Sequence, residues 1–213
     1  MHHLSQTIWF PNPEEADKDG LLSIGGDLSV KRLIHAYRSG IFPWFDNYQP
    51  ILWWSPNPRM VMFLDDFKVS KSLKKIILKN KFTVTYNNCF EEVIKNCSQI
   101  KREGQQGTWI NSQMQEAYLQ LHKIGFATSI EVWLEDKLVG GLYGIDLKDK
   151  KVFCGESMYS YASDASKVAF YYLVAQLKVK NYQLIDCQMY TPHLERLGAV
   201  EIPREKFLTY LNR

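Results

Sequence analysis

The sequence has few cysteines and no long hydrophobic run, and each absence excludes a class of protein. Its four cysteines, among 213 residues, form no CxxC pair, which favours reduced, buried thiols over disulfides or a zinc site. No segment approaches the roughly 20 consecutive apolar residues that cross a bilayer, and the first residues show no cleavable leader pattern. We therefore expect a cytosolic protein that needs neither a metal nor a cofactor.

A strong charge of either sign is also missing, because the formal net charge is only +3. So small an excess does not by itself predict nucleic-acid binding, and only the local distribution of charge is informative. Lysines are concentrated in the segment FKVSKSLKKIILKNKF, where a solvated helix face and a phosphate-binding surface are both reasonable interpretations. The central lysines of this segment, Lys71, Lys74 and Lys75, are the candidates for phosphate contact.

The composition changes near residue 62. The first segment is rich in Pro, Gly and Trp and contains one clear helix, which begins after Ser29, a favourable N-cap, and ends near Gly40. Beyond Arg59, regular helix and strand patterns take over. With 46% hydrophobic residues, the chain can bury a substantial core. We predict a small irregular N-terminal α/β module over residues 1–62 and a larger domain over residues 63–213.

The order of elements in the larger domain predicts its fold class. Helical patterns occupy residues 70–80, 91–97 and 112–123, and strands follow at 129–134, 137–145 and 151–157. A helix over 164–180 then leads to strands at 183–187 and 200–202. Antiparallel strands followed by a crossover helix and a further strand is the order of an N-acetyltransferase-like (GNAT-like) fold. We predict an α+β protein with a mixed sheet, and with Glu156 and Asp186 on neighbouring strands.

The start of the crossover helix lacks the glycines that acetyltransferases need. An enzyme that uses coenzyme A needs free backbone amides there to hold a pyrophosphate. The sequence at this point is SYASDASK, which has no glycine and places Asp164 where a phosphate would lie, although Lys167 could bind one. This pattern argues against acetyl-CoA and is compatible with a different activated acyl donor.

Three polar residues on the predicted strands are candidates for chemistry. In LIDCQ, strand alternation predicts that Asp186 and Gln188 point to the same face. The alternative is that Asp186 only bonds local backbone, but its apolar lead-in predicts burial, where an uncommitted carboxylate is costly. Glu156, in CGESMY, is flanked by apolar residues, whereas a lone Glu is ordinarily on a solvated face.

Apolar residues near these segments would ordinarily be assigned to the core. Phe170, Leu173 and Leu177 follow the spacing of one helix face, so they can form one wall of a pocket. The other candidates for the same pocket are Trp44, Trp109, Phe153 and Met158.

The segments FCGESMYS, DASK, LIDCQ, GIFPWF, ILWWSPNPR, GTWI and SIEVW together resemble the leucyl/phenylalanyl-tRNA protein transferase family. The resemblance covers nearly the whole chain. It implies that Asp186 and Gln188 are the catalytic pair, with the carboxylate polarising the amide. It also implies that Glu156 binds the donor and that the apolar set forms an amino-acid pocket, its tryptophans also contacting the terminal adenosine. Lysine contacts to a tRNA acceptor stem agree with this reading.

The implied activity is the transfer of leucine, and less readily phenylalanine or methionine, from charged tRNA to proteins that begin with Arg or Lys. The product would be an N-degron for protein turnover, made by a monomeric enzyme. Three rivals are a related transferase acting on N-terminal Asp or Glu, which needs a basic acceptor pocket, an N-acetyltransferase, and a noncatalytic RNA-binding module. The last leaves the D-x-Q beside an apolar pocket unexplained.

Overall fold

The computed structural model describes residues 2–100 and 108–212. Near the N-terminus, four short strands form a sheet in the order β1-β2-β4-β3. These strands are β1 (His2–Leu4), β2 (Leu21–Gly25), β3 (Phe42–Pro43) and β4 (Leu52–Trp54). Helix α1 (Val30–Arg38) packs beside them, capped by the Ser29 side chain as predicted.

The larger sheet has seven strands in the order β11-β5-β10-β9-β8-β7-β6. Its strands are β5 (Arg59–Phe63), β6 (Thr83–Tyr86), β7 (Ala127–Leu134), β8 (Lys137–Leu147), β9 (Val152–Ser160), β10 (Leu184–Gln188) and β11 (Val200–Ile202). β9 and β10 are parallel, whereas every other neighbouring pair is antiparallel. The sheet is therefore mixed, as predicted.

Six helices accompany the larger sheet in the described part of the chain. They are α2 (Lys71–Leu78), α3 (Phe90–Gln99), α4 (Ser112–Lys123), α5 (Ala165–Val179), α6 (Pro192–Arg196) and α7 (Arg204–Leu211). Helix α5 connects β9 to its parallel neighbour β10, which is the predicted crossover. The α+β, GNAT-like fold class is confirmed by this order of antiparallel strands, crossover helix and parallel strand.

Both faces of the larger sheet are buried. Side chains from α1, α3, α4 and α7 share one apolar cluster with alternate strand residues such as Val152 and Cys154. Side chains from α2 and α5 share a second cluster with the intervening residues, such as Phe153. This division follows from the alternation of side chains along a strand. The site residues on β9 and β10 therefore lie between two helical layers.

The first cluster joins the two sheets. It contains Leu33 and Tyr37 of α1 together with Val61 of β5 and Phe207 of α7. Gly40, with φ of +75°, ends the first helix as predicted, and a Cβ there would lie 2.6 Å from the Leu208 side chain. The strand β5, which begins at Arg59, belongs to the larger sheet. The domain boundary at residue 62 stays a prediction.

Candidate active site

The site lies where the two parallel strands separate. β9 and β10 pair only as far as Asp186 and Cys154. Beyond this point the register of β10 against β5 shifts, and Gln188 has a positive φ of 65°. The chain therefore turns at Gln188, and Gly155 and Glu156 line the opening between the strands.

A cavity of about 570 Å³ occupies this opening. Its wall is mostly apolar, with aromatic residues from both parts of the chain. The residues of the N-terminal segment are Phe42, Pro43 and Trp44, and those from elsewhere include Trp109, Leu142, Phe153, Met158, Phe170, Leu173, Ile185 and Cys187. A cavity of this size and composition suits a mainly apolar small group that a few polar side chains orient.

One polar pair, Glu156 and Gln188, is set into this apolar wall. Gln188 Nε2 donates a hydrogen bond to Glu156 Oε1 at 2.8 Å. Glu156 is 9% exposed. Its burial raises the pKa of the carboxyl to about 7, although the hydrogen bonds from Tyr118 and Gln188 and the nearby Tyr37 hydroxyl oppose the rise. The carboxyl group therefore changes its charge near neutral pH.

Two buried tyrosines extend the network behind Glu156. The Tyr118 hydroxyl, from α4, donates to Glu156 Oε2 at 2.8 Å. The hydroxyl of Tyr37, from α1, is hydrogen-bonded to that of Tyr118. Burial and the nearby Glu156 charge raise the pKa of both phenols well above their usual range, so both stay protonated. A continuous chain of hydrogen bonds thus runs from the N-terminal segment to the cavity wall.

Asp186 turns away from the cavity towards Arg59. Arg59 Nε and Nη2 donate to the two carboxylate oxygens of Asp186, each at 2.8 Å. The third nitrogen, Nη1, donates to the Gly40 carbonyl, and the guanidinium lies 4.9 Å from the Phe42 ring and 4.6 Å from the Phe207 ring. The buried charge of Asp186 is therefore balanced by a fixed cation.

The expectation that Asp186 and Gln188 share one face requires correction. Gln188 lines the cavity, whereas Asp186 does not. The cause is the irregularity between these two residues, which breaks the two-residue alternation of a regular strand. Asp186 instead accepts a hydrogen bond from the backbone N–H of Gln188 at 3.0 Å. Their contact is therefore through the backbone rather than between side chains.

Most of the apolar candidates meet at the cavity. Trp44, Trp109, Phe153, Met158, Phe170 and Leu173 all line it. Leu177 does not line it and is buried further along α5 in the second apolar cluster. Within the GTWI segment, Gly107 lies outside the described residues. The catalytic and binding roles of the residues themselves stay predictions.

The candidate lysines lie on a surface apart from the cavity. Lys71, Lys74 and Lys75 are exposed on α2, which is anchored by buried Leu73 and begins after the capping Ser70. At the start of α5, Asp164 forms an ion pair with Lys167 at 2.7 Å. The Lys167 ammonium, which the sequence offers as a possible phosphate contact, is therefore already paired with a carboxylate.

Sequence reasoning missed Arg59, Tyr118 and Tyr37. An arginine at the start of the apolar strand RMVMF was a usable signal, since a buried cation needs a buried anion, and LIDCQ offers one. Tyr118 lies on the buried face of α4 with Met114 and Leu121, a spacing that is a usable signal for burial, but no local pattern indicates its partner. No helix in residues 2–100 and 108–212 is long and apolar enough to cross a membrane. Nor, within those residues, do three or more His, Cys, Asp or Glu side chains group as metal ligands.

Sequence comparisons with known proteins agree on one family. Residues 61–212 match the model of the leucyl/phenylalanyl-tRNA protein transferases, and residues 26–57 match the model of their N-terminal domain. A leucyl/phenylalanyl-tRNA–protein transferase of Flavobacterium johnsoniae is 58% identical over 211 residues, which are 99% of each chain. One from Flavobacterium psychrophilum is 55% identical over 213 residues, the full length of both chains.

Among solved structures, an aminoglycoside acetyltransferase from an uncultured soil metagenomic sample is 14% identical, with a TM-score of 0.40. The match covers 56% of this chain and 85% of that one, and at this score it carries no argument. The sequence matches are decisive by contrast. The chain belongs to the leucyl/phenylalanyl-tRNA protein transferase family and is an aminoacyltransferase.

Proposed function

We propose that this family member transfers leucine, and less readily phenylalanine or methionine, from aminoacyl-tRNA to the α-amino group of proteins that begin with Arg or Lys. The product is an N-degron that directs the modified protein to turnover. The observation that carries the proposal is a single cavity with an apolar wall and one embedded carboxylate and amide pair, Glu156 and Gln188. Such a cavity suits an apolar acyl group and an incoming amine together.

The donor amino acid occupies the apolar part of the cavity. Phe153 of β9 and Phe170 and Leu173 of α5 line this region, and they recognise size and shape rather than charge. Trp44 and Trp109 lie on the same cavity wall and offer flat faces to the terminal adenosine. Stacking of this kind contributes about 1–3 kcal/mol per base. Aromatic rings that the fold already holds in place lose little side-chain entropy when the adenosine binds.

The acceptor amine meets Gln188 and Glu156. Because Gln188 uses its amide nitrogen on Glu156, its amide oxygen is left to accept a hydrogen bond from the amine. Asp186 does not touch the amine. It accepts a hydrogen bond from the Gln188 backbone N–H and so fixes the chain turn at Gln188, while Arg59 donates to Asp186 and holds it in place. When it is ionised, the Glu156 carboxylate on the cavity wall favours a substrate that begins with a cationic residue, which supports Arg or Lys over Asp or Glu.

Positioning supplies much of the rate in this proposal. An aminoacyl ester already reacts with amines, and about a tenth of an N-terminal amine with a pKa near 8 is unprotonated at neutral pH. Holding ester and amine in attack geometry is worth on the order of 7 to 11 kcal/mol. A site built largely on strands and helices, here β3, β8, β9, β10, α5 and α6, is suited to that task.

The tRNA body contacts the lysines of α2. Lys71, Lys74 and Lys75 are exposed on this helix, so their ammonium groups are available to phosphates. Phosphate contacts hold a stem without reading its sequence, and the charged amino acid is recognised separately in the cavity. Because its donor is an aminoacyl-tRNA, we place the protein in the cytoplasm, acting as a monomer.

An N-acetyltransferase is the second candidate, since the fold class is the same. The ion pair between Asp164 and Lys167 at the start of α5 disfavours a pyrophosphate there. The deciding experiment incubates the protein with Leu-tRNA and an Arg-initiated peptide, with an Asp-initiated peptide and acetyl-CoA as controls. We expect leucine on the Arg peptide alone. Acetylation, or transfer to the Asp peptide only, contradicts the proposal, and tRNA binding without transfer indicates an RNA-binding module.

A further inference from the structure

Glu156 occupies a position that substrate binding alone does not explain. Each of its oxygens already accepts a hydrogen bond, one from Gln188 on β10 and one from Tyr118 on α4, both at 2.8 Å. A carboxylate has about four lone-pair sites, so the two bonds leave room for a substrate proton. Glu156 also lines the cavity in which ester and amine must meet. It is therefore a carboxylate held in a fixed orientation, with unused acceptor capacity.

We propose that Glu156 is the group that exchanges the reaction's proton, and that Tyr118 and Tyr37 are positioning residues that hold its carboxylate. This inference rests on the proposed function. The amine nitrogen attacks the ester carbonyl, a C–N bond forms, and Glu156 takes a proton from that nitrogen. The tetrahedral intermediate then collapses, the bond from carbon to the ribose oxygen breaks, and Glu156 returns the proton to that oxygen. The products are an amide and a tRNA with a free hydroxyl.

Gln188 is a poorer candidate for the proton. A neutral amide oxygen is a very weak base, whereas a carboxyl that titrates near the working pH can both take and give a proton. The hydrogen bond from Gln188 Nε2 to Glu156 Oε1 also couples the two groups. An ionised Glu156 can only accept, so it fixes which end of the amide faces it. Gln188 is thereby oriented by the same group that moves the proton.

The tyrosines support the charged form of Glu156. Each phenol has one O–H, and Tyr118 uses its own on Glu156. While Glu156 is ionised, the bond between Tyr118 and Tyr37 is therefore donated by Tyr37. In that form the carboxylate at the end of the chain sets the direction of both bonds. Because Tyr37 belongs to α1, the N-terminal segment takes part in preparing the site.

The other ionisable groups around Glu156 come from several elements. They are Cys154 on β9 itself, Asp186 on β10 with Arg59 of β5 bound to it, Tyr118 on α4, Tyr37 on α1, Tyr143 on β8 against the Tyr118 ring, and His193 of α6 on the cavity wall. Burial raises the pKa of Glu156 to about 7, and the Asp186 charge adds to the rise. Near neutral pH, Glu156 is thus present in both forms.

The test is a set of single-turnover transfer rates from Leu-tRNA to an Arg-initiated peptide, measured across pH. Rates are expressed per unprotonated acceptor, whose amine is titrated separately. Tyr118→Phe removes a hydrogen-bond donor to the Glu156 carboxylate. The acidic limb of its pH–rate profile should therefore shift to higher pH by about one to two units, with the rate recovering above the shifted limb. Tyr37→Phe should move the limb in the same direction by less. Tyr159→Phe is the matched control, since that buried hydroxyl bonds Asn96 and not Glu156.

Glu156→Gln keeps the size of the side chain and should lower the rate by about 10² to 10⁴ at every pH. NMR of the protein with ¹³C-labelled glutamate carboxyls gives an independent readout. The Glu156 signal is identified by its absence in Glu156→Gln, and it should titrate near neutral pH in the wild type and at higher pH in Tyr118→Phe. The proposal is overturned if Tyr118→Phe moves neither the acidic limb of the pH–rate profile nor the titration of the Glu156 carboxyl. It is also overturned if Glu156→Gln transfers leucine at the wild-type rate. If Glu156→Gln does not fold, the Tyr118→Phe shift decides. A wild-type chain that transfers no leucine contradicts the proposed function instead.

Discussion

Arg59 and Asp186 form a bidentate ion pair in the interior of the protein, with both nitrogen–oxygen distances at 2.8 Å and both side chains at most 2% exposed. The pair joins β5 to β10 at the strand end where the cavity opens. Because Asp186 also holds the Gln188 backbone, the pair fixes the position of the amide at the site. In the proposed function, the carboxylate therefore acts on the substrate through Gln188 and not by contact.

Removing the charge of Asp186 should destabilise the protein. Asp186→Asn leaves the Arg59 cation buried without its counter-ion, so the free energy of unfolding should fall by about 3 kcal/mol or more. Urea denaturation measures the change. In the double variant Asp186→Asn with Arg59→Met, the unpaired cation is gone, so this protein should be more stable than Asp186→Asn alone. A loss below about 1 kcal/mol in the single variant would contradict the electrostatic role.

Asp186→Asn should also transfer leucine about tenfold more slowly or worse, because a charge-assisted hydrogen bond from the Gln188 backbone is weakened. Single-turnover rates are to be measured at a temperature where the variant is folded. Wild-type rates in folded Asp186→Asn would end the assignment of this residue to the site.

Gln188→Glu should impair transfer rather than improve it. A second carboxylate would face Glu156 Oε1, where the Gln188 amide nitrogen now donates at 2.8 Å, and two such carboxylates cannot both be ionised cheaply. We expect a loss of about tenfold or more at neutral pH. The matched control is the exchange variant Gln188→Glu with Glu156→Gln, which restores one amide and one carboxylate and should recover stability. A faster Gln188→Glu enzyme would indicate that the rate is limited by basicity at this position.

The cavity should discriminate by shape. A misfit of one methylene costs about 1 to 3 kcal/mol, so Leu-tRNA should be preferred over Ile-tRNA by roughly ten- to hundredfold in transfer efficiency. Leu173→Ala enlarges the cavity and should raise the use of phenylalanine relative to leucine. Leu177→Ala removes the same atoms from α5 outside the cavity lining, so it should lower stability and leave this ratio unchanged. Equal use of leucine and isoleucine by the wild type contradicts the pocket assignment.

The lysines of α2 should contribute to tRNA binding through phosphates. Replacing Lys71, Lys74 and Lys75 by Ala should weaken binding of Leu-tRNA and lower its salt slope by roughly 0.7 to 0.9 for each lost contact. Transfer from a minimal aminoacyl-adenosine donor should be nearly unaffected. The charge-matched control replaces Lys18, Lys31 and Lys206, which are exposed outside α2. If both triple variants behave alike, general charge and not this helix is responsible.

Glu156 should make stability depend on pH. Its pKa rises from 4.5 to about 7 on folding, so the unfolded chain loses this proton first as the pH rises. The stability contributed by the protonated form is complete below pH 4.5 and is lost as the pH rises through about 7. The full loss is about 3 kcal/mol. Denaturation of the wild type and Glu156→Gln across this window should show the difference growing in favour of Glu156→Gln, and a constant difference would exclude a raised pKa.

Local patterns were enough to predict the order of most helices and strands in the larger domain, but not the four-stranded N-terminal sheet or α7. Ser29 capping α1 and the period-two alternation around Phe153 each depend on neighbouring residues, so the sequence indicates them directly. The same holds for Phe170 and Leu173, which share a helix face. The spacing could not separate them from Leu177, because one helix face passes from the cavity into the core and only the surrounding strands determine where the cavity ends.

The sequence by itself predicted the main helices and strands of the larger domain, the fold class, the family, and eight of the residues that line the cavity, Glu156 and Gln188 among them. Only the tertiary structure decided the partners. Asp186 binds Arg59 across 127 positions, and Tyr37 binds Tyr118 across 81. The irregularity in β10 sends Asp186 and Gln188 in different directions. Periodicity records which face a residue occupies, whereas a bond between distant residues depends on strand register and helix packing, which only the folded chain establishes.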